Sequence, residues 1–200
     1  MGDPAALIWL VNQGVIEMHP WLATTRHPDH PTWMLLDLDP GRGVAFDRIL
    51  HVAKVIGKAL EALGLGGMPK TTGKRGVHLF VAIERRHTFD EVRAWLKVFL
   101  TRLAASHPNV LTLDKRLAER GGKVLVDYSQ NAAGKSIAAP YGVRALPGAS
   151  VSTPLTWREV AAGRVRPVDF TVRTVPDRLR RHGDLFAPLL RRPHRLRPLG

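Results

Sequence analysis

The order of the apolar runs along this chain constrains its fold more than any other feature. Six segments with strand or helix periodicity follow one another in the order β-α-β-β-α-β: 33–38, 44–63, 68–72, 77–83, 89–106 and 123–127. This order is typical of the split βαβ arrangement, an α+β fold in which the first strand lies between the third and the fourth. The fourth strand then runs antiparallel beside the first. We also predict a strand over 136–143 and a short helix over 154–162.

Two aspartates lie at the end of the first predicted strand. Asp37 and Asp39 follow the uncharged run 33–36 and precede a Pro-Gly break. Residues two apart in a strand project from the same face, and two carboxylates so close together disfavour each other's ionised form unless a cation binds them. Carboxylate oxygens are the ligands that Mg²⁺ and Mn²⁺ prefer. Asp127, at the end of the last strand, is the candidate third ligand, although neighbouring strands alone do not make three carboxylates converge.

A D-x-D pattern as short as this one has alternative explanations. One aspartate caps the turn before Gly41 while the other is solvated, or the pattern is the nucleophile motif D-x-D-x-[TV] of haloacid-dehalogenase-like phosphatases. Gly41 stands at the last position of that motif and disfavours the phosphatase. If three carboxylates hold two ions, they form the clamp that is used for phosphoryl and nucleotidyl transfer.

A glycine turn precedes the third strand. The segment TTGKRGVH at 71–78 contains two glycines, two hydroxyls and the cations Lys74 and Arg75. Such a loop can direct backbone N–H groups and positive charge toward a triphosphate. It is not a Walker A motif, because Lys74 directly follows the first glycine. A plain β-hairpin with a basic tip explains the pattern equally well, and His78 is compatible with a packed core residue.

The charge of the chain indicates a polyanionic partner. Lys and Arg number 30 against 17 Asp and Glu, a formal net charge of +13. A domain this basic is typical of nucleic-acid binding. Residues 158–200 carry eleven arginines and no lysine against four carboxylates, so this region is either a solubilising tail or a further source of phosphate contacts.

The sequence favours a cytoplasmic protein without a membrane partner. It has no cysteine, which excludes disulfides and thiolate metal sites. It has no apolar stretch long enough to span a bilayer, and its N-terminus lacks the features of a signal peptide.

Five motifs, taken together and in this order, resemble the polymerase domain of bacterial DNA ligase D. They are EMHPW (17–21), LLDLDP (35–40), TTGKRGVHLFV (71–81), VLVDYSQN (124–131) and APYGVRALPGASVSTPLTW (139–157). That family belongs to the archaeo-eukaryotic primase superfamily and acts in non-homologous end joining. The resemblance implies a primase-polymerase catalytic core built on an RRM-like sheet.

The resemblance implies roles for matching residues. The metal-binding catalytic carboxylates would be Asp37, Asp39 and Asp127. The residues expected to contact the nucleotide, its phosphates or the charge that develops on them are His19, Thr72, Lys74, Arg75, His78, Lys135 and Arg144. Thr72 stands where the family often has serine. The alternatives are that His19 caps a turn and that Arg144 and Lys135 are solvated.

The resemblance does not include the whole family domain. The resemblance implies that roughly the first third of that domain is absent from this sequence, and with it basic residues that grip a 5′-phosphate and part of the template surface; the alternatives are a truncated or minimal form and a misplaced start. We expect a catalytic domain over 1–162 and an Arg/Pro-rich, partly disordered extension over 163–200.

The function implied is that of a nucleotidyltransferase which extends a primer 3′-hydroxyl during DNA end joining. It would need two Mn²⁺ or Mg²⁺ ions, with Mn²⁺ favoured, and would use ribonucleoside as well as deoxyribonucleoside triphosphates. Its partners would be primer-template DNA or broken ends, a DNA ligase and the Ku end-binding protein, at the bacterial nucleoid. The alternative is a non-catalytic nucleic-acid-binding remnant of the fold.

Overall fold

The computed structural model describes residues 3–199. The α-helices of this range are Pro4–Asn12 (α1), Phe46–Ala62 (α2), Phe89–Ser106 (α3), Trp157–Ala162 (α4) and Val175–His182 (α5). The strands are Ala23–Thr24 (β1), His27–Pro31 (β2), Trp33–Pro40 (β3), Met68–Thr71 (β4), Val77–Ala82 (β5), Leu111–Thr112 (β6) and Val124–Asp127 (β7). Short 3₁₀ turns cover Leu117–Arg120, Pro167–Asp169 and Ala187–Arg191. No helix between residues 3 and 199 has the length and apolarity needed to cross a membrane.

The main sheet has five strands in the order β4-β5-β3-β7-β6. Strand β3 pairs antiparallel with β5 on one side and with β7 on the other. The first strand of the β-α-β-β-α-β unit therefore lies between the third and the fourth, and the predicted α+β topology is confirmed. Strand β6 adds a parallel edge beside β7; its two residues are too few to show a periodic pattern in the sequence.

The two faces of β3 have opposite character. Met34, Leu36 and Leu38 have no solvent exposure and pack in one cluster with side chains of α2 and α3. Because successive strand residues point to opposite faces, Asp37 and Asp39 lie on the other face. The helices thus pack on one face of the sheet, and the carboxylates lie on the other face, where a smaller apolar cluster covers Leu35 and Phe80.

A capping box begins α3. The Thr88 hydroxyl accepts a hydrogen bond from the Glu91 N–H at 3.3 Å, and the Glu91 carboxylate accepts one from the Thr88 N–H at 2.7 Å. This reciprocal pair satisfies two N–H groups that a helix start leaves without partners and fixes the first residue of the helix.

The strand predicted over 136–143 is wrong. Within this segment Ser136 and Val143 form only isolated bridges, to Trp21 and to Val151. Pro140 has no N–H to donate to a ladder, and the next residue, a tyrosine, has φ +60°, which is incompatible with a regular strand.

The segment after residue 162 contacts the body of the protein. Arg178 on α5 donates to both carboxylate oxygens of Glu159 on α4, at 2.5 and 2.7 Å, and to the Pro154 carbonyl at 2.9 Å. Phe170 and Val175 are buried in the main core cluster. The proposed division at residue 162, and the partial disorder after it, stay predictions, but Phe170, Val175 and Arg178 pack against the body of the protein.

Substitution of Arg178 by Met should lower the free energy of unfolding by about 2–4 kcal/mol, because it leaves a half-buried carboxylate without its guanidinium. Urea denaturation measures this loss. Arg180→Met on the same helix is the matched control: its exposed pair with Asp177 is worth less than about 1 kcal/mol. Equal losses in the two variants would contradict the docking role of Arg178.

Candidate active site

A row of ionisable side chains crosses the face of the sheet opposite the main core cluster. Asp37 at the centre of β3 is paired in register with His78 on β5 and with Asp127 on β7. His78 is in turn opposite Lys70 on β4. Directly opposed residues share a face, so these four side chains form one line across four strands. Asp39 lies two residues farther along β3 on the same side.

The carboxylates of β3 are held where ionisation is unfavourable. Burial, and then the negative charge of Asp127, raise the pKa of Asp37 from 3.8 to about 7. Burial, and then the charge of Asp37, raise the pKa of Asp39 to about 6. The buried Oδ1 of Asp37 has no hydrogen-bond partner within the described structure; it lies 3.3 Å from Nε2 of His78, without hydrogen-bond alignment. These groups are suited to a cation that would stabilise both negative charges.

His78 is a buried, neutral imidazole beside Asp37. Burial lowers its pKa well below 6.5, and the positive charges of Lys70 and Arg144 lower it further. A neutral imidazole carries one N–H donor and one acceptor nitrogen. His78 can therefore donate one hydrogen bond to an anion in the site without becoming charged.

Asp127 lies in the row, but its carboxylate is engaged by other groups. Its Oδ1 accepts a hydrogen bond from the Ser129 N–H at 2.7 Å, and its Oδ2 lies 3.2 Å from Nζ of Lys115. Desolvation raises its pKa, but the hydrogen bonds from Ser129 and Lys115 outweigh that effect and the net shift is downward. Across residues 3–199, no three His, Asp, Glu or Cys side chains are grouped as a ready metal site.

The glycine turn 72–76 is closed by its own threonine. The Thr72 hydroxyl accepts hydrogen bonds from the N–H groups of Lys74 and Gly76, at 3.2 and 3.1 Å. Those N–H groups are therefore occupied, unlike in the anion-binding loop that the sequence suggested. A hydroxyl that accepts twice keeps its hydrogen for a further partner, so Thr72 itself can donate to an anion.

Both glycines of the turn are required by its geometry. Gly73 has φ +71°, and a Cβ there would lie 2.6 Å from Cγ of Arg144. A Cβ on Gly76 would lie 2.5 Å from the carbonyl oxygen of Leu38. The turn can therefore pack directly against β3 and the arginine only because these positions lack side chains.

Lys70 is connected to the residue before the glycine turn, Thr71, through the Ser152 hydroxyl. The sequence did not indicate this role. Lys70 is completely buried, and its ammonium donates to the Ala138 carbonyl at 3.0 Å and to the hydroxyl of Ser152. Ser152 donates to the Thr71 carbonyl at 2.9 Å. Burial lowers the pKa of Lys70 to about 7. The available sequence signal was a lysine in a short strand, a position where most lysines are solvated.

One cleft of about 590 Å³ collects most of the predicted site. Of the ten predicted site residues, its lining includes Asp37, Asp39, Thr72, Lys74, Arg75, His78 and Arg144. Arg42 and Arg120 also line it and were not predicted. The cleft therefore has an acidic floor, formed by Asp37 and Asp39, and a cationic wall. The wall consists of Arg42, Lys74, Arg75, Arg120 and Arg144. Such an arrangement suits an anionic ligand that carries a cation with it.

Arg144 is held in place by an acidic residue that the sequence analysis did not select. Its guanidinium donates to the Thr72 carbonyl at 3.1 Å and lies 3.2 Å from Glu17. Glu17 also contacts Nε2 of His19 at 2.9 Å and accepts a hydrogen bond from the Ala145 N–H at 2.8 Å. The His19 contact, the N–H of Ala145 and the charge of Arg144 lower the pKa of Glu17 to about 2. Arg144 is thus buried and paired rather than solvated.

Three predicted site residues lie outside the lining of the cleft. Asp127 lines a separate cleft with Lys115. His19 is connected to the cleft only through Glu17 and Arg144. Lys135 is exposed. The roles assigned to all ten residues stay predictions, because geometry alone does not assign a function to them.

Comparison with known proteins identifies the family. A family model described as "LigD, primase-polymerase domain" matches residues 1–186 of this chain. The chain belongs to this family. The predicted resemblance is confirmed, and the match continues past residue 162, the predicted end of the catalytic domain.

The LigD relatives are much longer than this chain. It is 36% identical over 174 residues to the multifunctional non-homologous end joining protein LigD of Pseudomonas aeruginosa, covering 87% of this chain and 21% of that protein. It is 30% identical over 192 residues to the bifunctional non-homologous end joining protein LigD of Bacillus subtilis, covering 96% and 31%. The chain thus spans about a fifth to a third of the length of these relatives.

A solved LigD structure has the same fold. The polymerase domain from Mycobacterium tuberculosis Ligase D, in complex with DNA, matches with a TM-score of 0.88 at 29% identity. The match covers 97% of this chain and 70% of that one. The primase-polymerase core expected from the sequence is therefore confirmed.

Substitution of Asp37 by Asn should stabilise the metal-free protein, and more so at about pH 8 than at about pH 5. The folded-state pKa of about 7 lies above the ordinary 3.8, so the stability that the protonated carboxyl contributes is lost as the pH rises through 7. Asparagine avoids this loss, and we expect a difference on the order of a few kcal/mol between the two pH values.

Urea denaturation with a chelator present measures both free energies of unfolding. Asp29→Asn, at an exposed position of β2, is the control and should change neither value. A gain for Asp37→Asn that is equal at both pH values would show that the Asp37 carboxylate is not destabilised by burial.

Proposed function

We propose that this chain is a metal-dependent nucleotidyltransferase that adds nucleotides to a primer 3′-hydroxyl during the joining of broken DNA ends. The observation that carries the proposal is the single cleft in which the Asp37–Asp39 floor faces a wall of arginines and a lysine. Membership of the LigD primase-polymerase family supports it. So do the names of the relatives, which are non-homologous end joining proteins, and the matching polymerase domain in complex with DNA.

The residues of the floor fit divalent cations. Asp37 and Asp39 supply oxygen ligands on one face of a rigid strand, and the unpartnered Oδ1 of Asp37 is available to a ligand. Mg²⁺ and Mn²⁺ bind such hard oxygen donors. Asp127 can join them only by giving up its contact with Lys115. When bound, two such ions would activate the primer hydroxyl and neutralise the triphosphate.

The side chains of the wall would bind and orient the nucleoside triphosphate. Lys74, Arg75 and Arg144 carry permanent charge that would neutralise its phosphates, and the Thr72 hydroxyl and His78 would donate hydrogen bonds. Arg144 cannot move freely, because Glu17 and the Thr72 carbonyl fix its guanidinium. Preorganised donors of this kind stabilise charge that develops in the transition state without reorganising. The remaining predicted contacts, His19 and Lys135, would have to reach the nucleotide from outside the cleft.

In the reaction, the primer O3′ would form a bond to the α-phosphorus while the bond from that phosphorus to the bridging oxygen breaks. Pyrophosphate leaves, and the hydroxyl proton passes to water. Arg42 and Arg120 would face the charge of the leaving group or of the primer backbone.

The wider setting of the proposal follows the relatives. Broken DNA ends or a primer-template would be the nucleic-acid substrate, and a DNA ligase and the Ku end-binding protein would be the partners. Such substrates would place the protein at the nucleoid in the bacterial cytoplasm.

Primer extension tests the function. The wild-type chain, given a gapped primer-template, ribo- or deoxyribonucleoside triphosphates and Mn²⁺ or Mg²⁺, should extend the primer. Asp37→Asn and Asp39→Asn should each reduce the rate on the order of 100-fold or more, since each removes a ligand of ions that contribute several kcal/mol to catalysis. Asp29→Asn should be as active as wild type. DNA binding by the wild type without extension under any of these conditions would leave only the non-catalytic alternative.

Replacement of Lys115 by Met should strengthen Mn²⁺ binding, because it removes the cation that competes for Asp127. Lys115 is mostly exposed, so we expect a gain of only about two- to tenfold in affinity. Calorimetric or electron-paramagnetic-resonance titration of Mn²⁺ measures it. Lys97→Met, at the same cleft as Lys115 but without an ion pair to Asp127, is the control. An unchanged affinity would contradict competition between Lys115 and the cations for Asp127.

A further inference from the structure

The C-terminal segment 194–197, which contains Arg195 and Arg197, packs beside the end of β5 that is farther from Asp37 and Asp39. The His194 N–H donates to the Ala82 carbonyl at 2.8 Å, and the Glu84 N–H donates to the His194 carbonyl at 2.9 Å. The His194 side chain accepts a hydrogen bond from the Gly66 N–H at 3.0 Å. The two backbone bonds form a parallel bridge between His194 and Ile83, the residue after β5.

The next residues are anchored to the body of the protein. Leu196 is buried, and the indole N–H of Trp95 on α3 donates to the Arg197 carbonyl at 2.7 Å. Arg195 and Arg197, on either side of Leu196, are both exposed to solvent. The two arginines are therefore presented on backbone that is held at His194 and at Arg197.

A cationic cleft of about 660 Å³ forms beside this segment. Its lining includes Arg86, His87, Trp95, Arg195 and Arg197. Neither Arg195 nor Arg197 makes a side-chain hydrogen bond or an ion pair with any residue of the range 3–199. So many positive groups repel one another unless a polyanion binds between them.

The carboxylates near this cleft do not neutralise it. Glu91 lines the cleft, but its carboxylate accepts hydrogen bonds from the Thr88 N–H and hydroxyl as the α3 capping box. Glu84 lies 3.5 Å from Arg86, an exposed pair. The guanidiniums of Arg195 and Arg197 therefore remain available to a ligand.

This cleft is distinct from the candidate active site. The two share no lining residue. His78 of the active site and Ile83, which forms a bridge with His194, are five residues apart along one extended strand, a backbone separation of about 17 Å at 3.4 Å per residue.

We propose that Arg195 and Arg197, with Arg86 and His87, form a second contact site for the phosphodiester backbone of nucleic acid. The choice of nucleic acid as the ligand rests on the proposed function; the cleft itself rests on the contacts above. The unpaired guanidiniums of Arg195 and Arg197 match a repeating phosphate chain, and a second anchor outside the catalytic cleft would hold the polynucleotide while the primer end is extended.

Fluorescence anisotropy with a labelled duplex and a labelled single strand, each of about 20 nucleotides per strand, tests the site at several salt concentrations. Arg195→Ala/Arg197→Ala should weaken binding at least about fivefold and reduce the slope of log K against log salt by about 2. Arg158→Ala/Arg164→Ala is the matched control: it removes the same charge from two exposed arginines outside the cleft. It should change affinity less than about twofold.

Each outcome has a definite meaning. Equal losses in the two double variants, or no loss in either, would overturn the second site and leave the proposed function intact. Binding that depends on Arg195 and Arg197 in a chain that never extends a primer would support the site and overturn the proposed function. Failure of the wild type to bind either DNA, or tight binding of polyglutamate with no DNA binding, would overturn the nucleic-acid site.

Discussion

The antiparallel pairing of β3 with strands on both sides is the constraint on which the site depends. It places Asp37 directly between His78 and Asp127, on a strand whose opposite face is anchored by helices. Ionised carboxylates at such positions are costly, and the raised pKa of Asp37 expresses that cost. The same arrangement favours cation binding, because a bound divalent ion would offset the free-energy cost of burying the two ionised carboxylates.

A second layer of polar contacts makes the cleft rigid. Lys70 connects β4 to Ala138 and Ser152, and Arg144 connects the glycine turn to Glu17. Each connection joins segments that are far apart in the chain, so Lys70 and Arg144 cannot shift without breaking buried hydrogen bonds. Removal of a buried partner costs more than the bond itself contributes, which explains why such a layer can hold many like charges close together.

Basic residues line two separate clefts of the molecule, one at the candidate active site and one beside Arg195 and Arg197. His194 forms a bridge with Ile83, the residue after β5, and the buried side chain of Leu196 holds the residues that follow. The proposed active site and the proposed second contact site therefore lie on one rigid scaffold, with a fixed separation along β5. A net charge of +13 distributed in this way favours a long polyanion over a compact one.

The sequence by itself determined the topology and the chemical type of the site. The alternation of strand and helix periods led to the β-α-β-β-α-β order, and the D-x-D spacing required Asp37 and Asp39 to share a face, because strand geometry is local. Only the tertiary structure decided which residues meet across the chain. Lys70 in the buried layer, the pairing of Asp127 with Lys115 and the docking of Arg195 and Arg197 depend on contacts between distant segments, which no local pattern encodes. The predicted strand over 136–143 was wrong for a related reason. Its composition suited a strand, but the chain bends after Pro140, and Arg144 contacts the glycine turn.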